Sequence, residues 1–336
     1  MKTRPPKSLS DADILTELQA AVTEGRLHPA NLTASNKRAN LRDRVGKAAF
    51  TLLSWLARRL PQSLSYPLAG RATQLLGWLT FPIRPKLTER LRYAFPNASN
   101  REIARIRAKF WYNLGQTSLE FLDFERFQVR MQSTTKIVGG EHVERALASG
   151  KPLVIIHCHL SNWEAPVPAL VWLTHRPVSA IYAPPSIAAL HLRVLRQRLK
   201  AGLIPFPRGM HGPMRALKTQ MSKGTPILIT LDQRVRGIEH PFFGVKAQTT
   251  IAPLKVAQAV DAHLLPMQVR RRDRRGGLEI TFHPNMLASS SMRSASGEAL
   301  LSHYNALLED WIRQAPEDWF WLHDRWRGSK HKQSKI

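Results

Sequence analysis

Apolar residues recur with two different periods along this 336-residue chain, and the change of period divides it. Between Lys47 and Pro82, three apolar segments of helical length, KAAFTLLSWLARRLPQSLSYPLAGRATQLLGWLTFP, are separated by Arg58-Arg59 and Arg71 and carry Trp55 and Trp78. Basic punctuation and tryptophans beside apolar turns suit helices lying in a membrane interface. The same pattern suits a helical hairpin buried in a globular core. A further helix is predicted near Arg101. Ser99 and Glu102 have capping-box spacing, and Ile103, Ile106, Phe110 and Leu114 follow on one face. From Lys151 the pattern becomes short strand-like runs between helical stretches: 152–157, 178–183, 225–231, 263–269 and 278–283. Strands alternating with helices predict an α/β fold with a mixed central sheet flanked by helices. The segment 263–283 reads as two β-hairpin-like strands around a turn at Gly276-Gly277. No repeat of fixed period is evident.

Residues 1–40 are polar and read as a mobile arm with one helix around Ile14–Val22. The N-terminus has no apolar core of a secretory signal, and charges interrupt every apolar stretch short of the roughly 18 residues a spanning helix needs. Charge then narrows the partners. Fifty Lys and Arg against 24 Asp and Glu give a net +26, while 43% hydrophobic residues are enough to build a core. The expected partner is anionic: nucleic acid, an acidic membrane surface, a phosphorylated substrate or an acidic carrier protein. The single cysteine, Cys158, excludes an internal disulfide and any multi-cysteine metal centre.

The densest chemistry lies in LVIIHCHLSNWEA, Leu153–Ala165. An apolar run ends at His157-Cys158-His159, a polar turn follows, and Trp163-Glu164-Ala165 reads as the first turn of a helix. Open α/β sheets place their sites at strand ends. Across such a corner Glu164 can reach one nitrogen of His159 and leave the other as a general base. Two other uses of the segment are weaker. Cys158 and its flanking histidines point to opposite faces of a strand, against a nucleophile pair. His157 and His159 share a face, as metal-binding pairs do, without a marked third ligand. Local hydrogen bonding by strand-capping histidines stays open.

HLSNWEA (159–165) resembles the H-x4-E box of the bacterial lipid A biosynthesis acyltransferases, the late lauroyl/myristoyl-type enzymes. Other blocks resemble the family in the same order: 92–121 before the box, 137–160 leading into it, 204–234 with an arginine and an Asp-Gln pair, 240–253 with its Pro-Phe-Phe-Gly and threonines, and the closing APEDWFWLHDRWR, 315–327. The resemblance covers about residues 45–328. It implies a glycerolipid-acyltransferase-like fold with an N-terminal helical membrane-associating region over 41–130, a catalytic α/β domain over 131–328 and a basic tail over 329–336.

The implied reaction moves a fatty acyl group from acyl-acyl carrier protein to a hydroxyl of a lipid A precursor, with no cofactor and no metal. His159 would be the base and Glu164 its orienting carboxylate. Arg198 and Arg208 would bind phosphate or orient the reacting groups. Asp232 would hold Arg208, contact the acceptor or cap a helix, and Thr249 and Thr250 would shape the donor or acyl-chain site. The expected setting is the cytoplasmic face of the inner membrane, held peripherally or monotopically on an anionic surface. Arg58-Arg59, Arg270–Arg275 and Arg325–Lys335 would be docking surfaces. The chain departs from the family at Tyr182-Ala183-Pro184, where many members have Tyr-Arg-Pro, and in its interrupted N-terminal apolar region. A glycerolipid or lysophospholipid acyltransferase is the nearest alternative, although its box normally carries Asp where Glu164 stands. A nucleic-acid-binding protein is a third, prompted by VRRRDRR at 269–275 and unsupported by any zinc-finger, RNP-like or helix-turn-helix signature.

Overall fold

The computed structural model describes residues 11–24, 27, 41–79, 83–183, 190–207, 213–273 and 276–327. Its centre is a seven-stranded sheet in the order β1 (Lys136–Val138), β9 (Leu278–Phe282), β8 (His263–Arg271), β2 (Leu153–His157), β5 (Ile227–Thr230), β3 (Val178–Tyr182) and β4 (Leu203–Pro207). Neighbouring strands run parallel, except that β8 and β9 are antiparallel. The mixed sheet and the hairpin over 263–283 therefore match the sequence reading. All five residues of β2 are buried, as a central strand covered on both faces requires. The two core clusters lie on opposite faces of this strand: Val154 and Ile156 belong to one, Leu153 and Ile155 to the other.

Several strands carry little sequence signal. β4 reads Leu-Ile-Pro-Phe-Pro and sits at the sheet edge, where missing N–H donors are tolerated. β6 (Ile238–Phe242) and β7 (Val245–Thr249) form a separate two-stranded hairpin.

The predicted helix near Arg101 is α5 (Asn100–Leu122), with both halves of the Ser99/Glu102 capping box formed. It is the spine on which the helices over 41–94 pack. α3 (Gln62–Leu79) packs on it through small residues: a Cβ at Gly77 would overlap the Trp111 ring, and one at Gly70 the Tyr112 ring. That close approach fixes which face of α3 is covered. Leu64, Leu68, Leu75, Leu76, Trp78 and Leu79 remain between 51 and 62% exposed. On α2 (Leu41–Arg59), Leu52, Leu53 and Trp55 are also about half exposed. Among the described residues no helix is long and apolar enough to cross a membrane.

The helix predicted at 14–22 is α1 (Asp11–Thr23), and it is not part of a free arm. Leu18 and Ala21 are buried in a cluster with Tyr182, Val194 and Leu195, and Arg196 on α9 (His191–Lys200) pairs with Glu17 at 2.6 Å.

Two presumed docking clusters are partly interior. Arg325 is fully buried, donates to the Leu231 carbonyl and Asn305 Oδ1, and lies over the Phe242 ring. Arg271 has 6% of its side chain exposed and grips Glu120 with two N–H groups at 2.9 and 2.6 Å. Both guanidiniums are spent inside the fold, Arg271 on a carboxylate and Arg325 on a carbonyl and an amide oxygen, and burial lowers the Arg325 guanidinium. Arg274, Arg275 and residues 328–336 lie outside the described residues.

Candidate active site

The sheet register builds the site. β2 and β5 are parallel neighbours with His157 opposite Thr230, so the two chains leave the sheet side by side. His159 and Asp232 stand two residues further on in each. His159 Nδ1 lies 2.8 Å from Asp232 Oδ1, and the His159 backbone N–H donates to Asp232 Oδ2 at 2.9 Å. The indole N–H of Trp319 donates to the same oxygen at 2.8 Å. Burial alone would raise the Asp232 carboxyl, but the His159 ring, these N–H donors and Trp319 outweigh it and hold the group well below the usual aspartate range. An ionised Asp232 accepts a hydrogen bond from Nδ1–H, which leaves the lone pair on Nε2. Gln233 Nε2 lies 3.2 Å from that nitrogen.

The sequence reading assigned the orienting role to Glu164, and the structure assigns it to Asp232. Glu164 lies in the turn that follows His159 and accepts a two-pronged bond from Arg198, Nε at 3.1 Å and Nη2 at 2.5 Å. Burial would lower the Arg198 guanidinium, and the Glu164 charge more than offsets it. The Arg198 guanidinium also lies 5.2 Å from the centre of the Tyr182 ring. Arg198 is thus committed to Glu164 instead of being open to a phosphate. The pair ties the turn after β2 to α9. Breaking such a pair by removing one partner costs about 3–5 kcal/mol where both are largely buried, and here the side chains are 24 and 11% exposed.

The turn between His159 and Glu164 is held from behind. Ser161 has φ of +53° and donates its N–H to the Asp318 carbonyl, while its own carbonyl accepts from Thr117 Oγ1 at 3.1 Å. Asn162 Nδ2 donates to Glu120 at 2.6 Å, and Asn162 Oδ1 accepts from the Glu164 N–H. Glu120 is fully buried on α5. Arg271 and Arg130 more than offset its burial, so its carboxyl stays below the usual range. The C-terminal segment completes the wall: Phe320 N–H bonds the His159 carbonyl, and Leu160 bridges Trp319. Trp163 and Phe320 rings lie 5.8 and 6.1 Å from the imidazole, whose side chain keeps 18% exposure.

The competing uses of the strand end separate here. Burial pushes the Cys158 thiol far above its ordinary value, which suits an inert core residue. Burial also takes His157 down to about 3, and its Nε2 lies 2.7 Å from Thr230 Oγ1, so this ring is a neutral structural group. Among the described residues no group of three or more His, Cys, Asp or Glu side chains is arranged to hold a metal ion.

Thr250 Oγ1 accepts from Ala252 N at the start of α11 (Ala252–Ala259), a cap-like role, and Thr249 is buried at the end of β7. Arg208 lies outside the described residues. Two functional neighbours escaped the sequence reading as individuals, Gln233 and Trp319. Both stood inside blocks already singled out, the Asp-Gln pair and the tryptophan-rich closing signature.

The family model described as "Bacterial lipid A biosynthesis acyltransferase" matches residues 37–328. Among curated relatives, a phosphatidylinositol mannoside acyltransferase of Mycobacterium tuberculosis is 24% identical over 198 residues, 57% of this chain and 60% of that protein. The chain thus spans less than two thirds of that relative. A lipid A biosynthesis acyltransferase of Haemophilus influenzae is 25% identical over 274 residues, 78% of this chain and 81% of the relative. A lipid A biosynthesis lauroyltransferase of Escherichia coli is 24% identical over 286 residues, 81 and 88% of the two chains. With His159, its carboxylate and the closing block all inside the matched region, the chain belongs to the bacterial lipid A biosynthesis acyltransferase family and is an acyltransferase.

Proposed function

We propose that this protein transfers a fatty acyl group from an acyl carrier protein thioester to a hydroxyl of a lipid A precursor, working at the cytoplasmic face of the inner membrane. The observation that carries the reading is the imidazole held through Nδ1 by a buried, ionised Asp232, with Nε2 left as the base. The acceptor hydroxyl displaces the Gln233 amide from Nε2 and gives up its proton there as its oxygen attacks the thioester carbonyl. The new C–O bond forms, the tetrahedral adduct collapses, the C–S bond breaks, and the leaving thiolate takes the proton from the imidazolium. Asp232 favours the imidazolium while it exists. No acyl-enzyme is required, which agrees with the buried, protonated Cys158. Glu164 contributes by fixing the turn through Arg198.

Membrane association is read from α2 and α3. Their exposed leucines and tryptophans form a face for the interface, with Arg58, Arg59 and Arg71 available to lipid phosphates. A second reading keeps the reaction and changes the acceptor: the phosphatidylinositol mannoside acyltransferase relative supports a different phosphorylated lipid, as would a lysophospholipid.

The test is to incubate the purified full chain with acyl carrier protein charged with defined fatty acids and each acceptor in turn, and to weigh the products by mass spectrometry. Acyl addition to a tetra-acylated lipid A precursor, lost by at least about 10³-fold in His159→Ala with thermal unfolding unchanged, is the expected result. Full transfer by His159→Ala would remove the base from the mechanism, and exclusive acylation of another acceptor would establish the second reading.

A further inference from the structure

A cleft of about 440 Å³ lies where α3, α5, the end of β8 and the turn at Pro316–Asp318 meet. It shares Asp318 with the wall of the active site, but His159 does not line it. Its described lining is rich in cations: Arg71, Lys109, Arg270, Arg271 and Arg272, against Asp273, Glu317 and Asp318. Some of this charge is already used. Arg271 is locked to Glu120 below the floor, and Lys109 pairs with Glu317 at 2.9 Å. Arg71 and Arg272 are exposed, Arg71 holding Gln74 Oε1 at 2.9 Å and lying 5.6 Å from the Tyr112 ring centre, and the partly exposed Arg270 contacts Gln314 at 3.4 Å. These three guanidiniums, from α3 and from β8 and the residue after it, converge on one concavity. Planar guanidiniums favour phosphate through paired N–H donors.

The helix that supplies Arg71 also says what carries the phosphate. Leu68 and Leu75 stand three residues before and four residues after Arg71, on the same side of α3, and are 57 and 58% exposed. The cationic cleft therefore adjoins an uncovered apolar strip, the arrangement of charge beside hydrocarbon that a lipid presents in reverse. We infer that the cleft is a binding site for the phosphate of a lipid headgroup, whose acyl chains lie along the Leu68–Leu75 side of α3. The lipid source of the phosphate rests on the reading of α2 and α3 as a membrane-facing surface, whereas the phosphate chemistry rests on the cleft alone.

Titration of the full chain with soluble dihexanoyl phosphatidic acid tests this without a bilayer, so that failure here is distinct from failure of membrane docking or acyl transfer. Wild type and His159→Ala should bind it alike, and inorganic phosphate should bind at least about 10-fold more weakly. The double variant Arg71→Gln/Arg272→Gln should weaken dihexanoyl phosphatidic acid about 10-fold or more, and Arg270→Gln should do so to a smaller extent. Undiminished binding by both the double variant and Arg270→Gln would overturn the site. Inorganic phosphate binding as tightly as the lipid would overturn the lipid source, because the apolar strip would then add nothing.

Discussion

The neighbourhood of His159 and the α2–α3 surface solve opposite problems. Around His159 the carboxylates are largely buried and each is held by several donors. Asp232 has three N–H partners, Glu120 is gripped by two arginines and an asparagine, and Glu164 and Arg198 are paired face to face. On α3 the order is reversed: glycines close the contact with the Trp111 and Tyr112 rings of α5 while leucines stand in the open. The first region stabilises one geometry, since moving any member strands a buried charge. The second leaves its binding capacity outside the fold, where burial can be completed only by a partner surface. Mutations should therefore separate the two regions cleanly, with chemistry and folding responding in one and association in the other.

The largest effect is expected at Asp232. Asp232→Asn removes the anion that selects the Nδ1–H tautomer, and turnover in the product-mass assay should fall by about 10²-fold or more. Acidification gives a second readout. A carboxyl held below its unfolded value stabilises the fold above about pH 4 and loses that contribution as pH falls further. Urea unfolding of Asp232→Asn should accordingly show less acid sensitivity below pH 4 than the wild type.

Glu164→Ala should come next, lowering folding stability by about 3 kcal/mol by stranding Arg198. Glu164→Ala combined with Arg198→Met should recover part of that loss, and additive losses from the two changes would sever the proposed pairing energetically.

Asp318 should move in the opposite direction. Burial, chiefly, pushes its carboxyl up to about 6, so its ionised form disfavours the fold at neutral pH and the penalty is relieved as pH falls from 6 towards 4. Asp318→Asn should gain on the order of 1–2 kcal/mol at pH 8 and flatten the pH profile between 4 and 6. A profile identical to wild type would contradict a raised carboxyl there.

The smallest folding effect belongs to the exposed face. Leu75→Ser/Leu76→Ser should change stability by no more than about 0.5 kcal/mol, while reducing sedimentation with vesicles containing anionic phospholipid by on the order of 10-fold. Equal vesicle binding by the variant and wild type would detach this face from the membrane reading.

Much of the architecture was legible because strong local signals agreed with burial. The Ser99 and Glu102 capping box starts α5 where spacing puts it, and the apolar runs at 152–157 and 225–231 become adjacent central strands. The weak strands failed to announce themselves for physical reasons. β4 carries two prolines that only an edge position accommodates, and β6 mixes charge with proline in a hairpin outside the main sheet. The net +26 had suggested more free cationic surface than exists, because Arg271 and Arg325 are consumed inside the fold.

The sequence by itself pointed to His159 and determined the family. A histidine after an apolar strand, followed by a polar turn and the companion blocks, is local information, and His159 stands at that strand end. Which carboxylate serves it was a tertiary decision. Glu164 is five residues away along the chain and Asp232 is 73, yet the parallel register of β2 and β5 brings the distant one to 2.8 Å. The turn after Asn162 meanwhile delivers the near one to Arg198. Proximity in sequence constrains a pair only within one element. Across a sheet edge, strand register sets the distance, and register is fixed by the packing of both faces of the sheet.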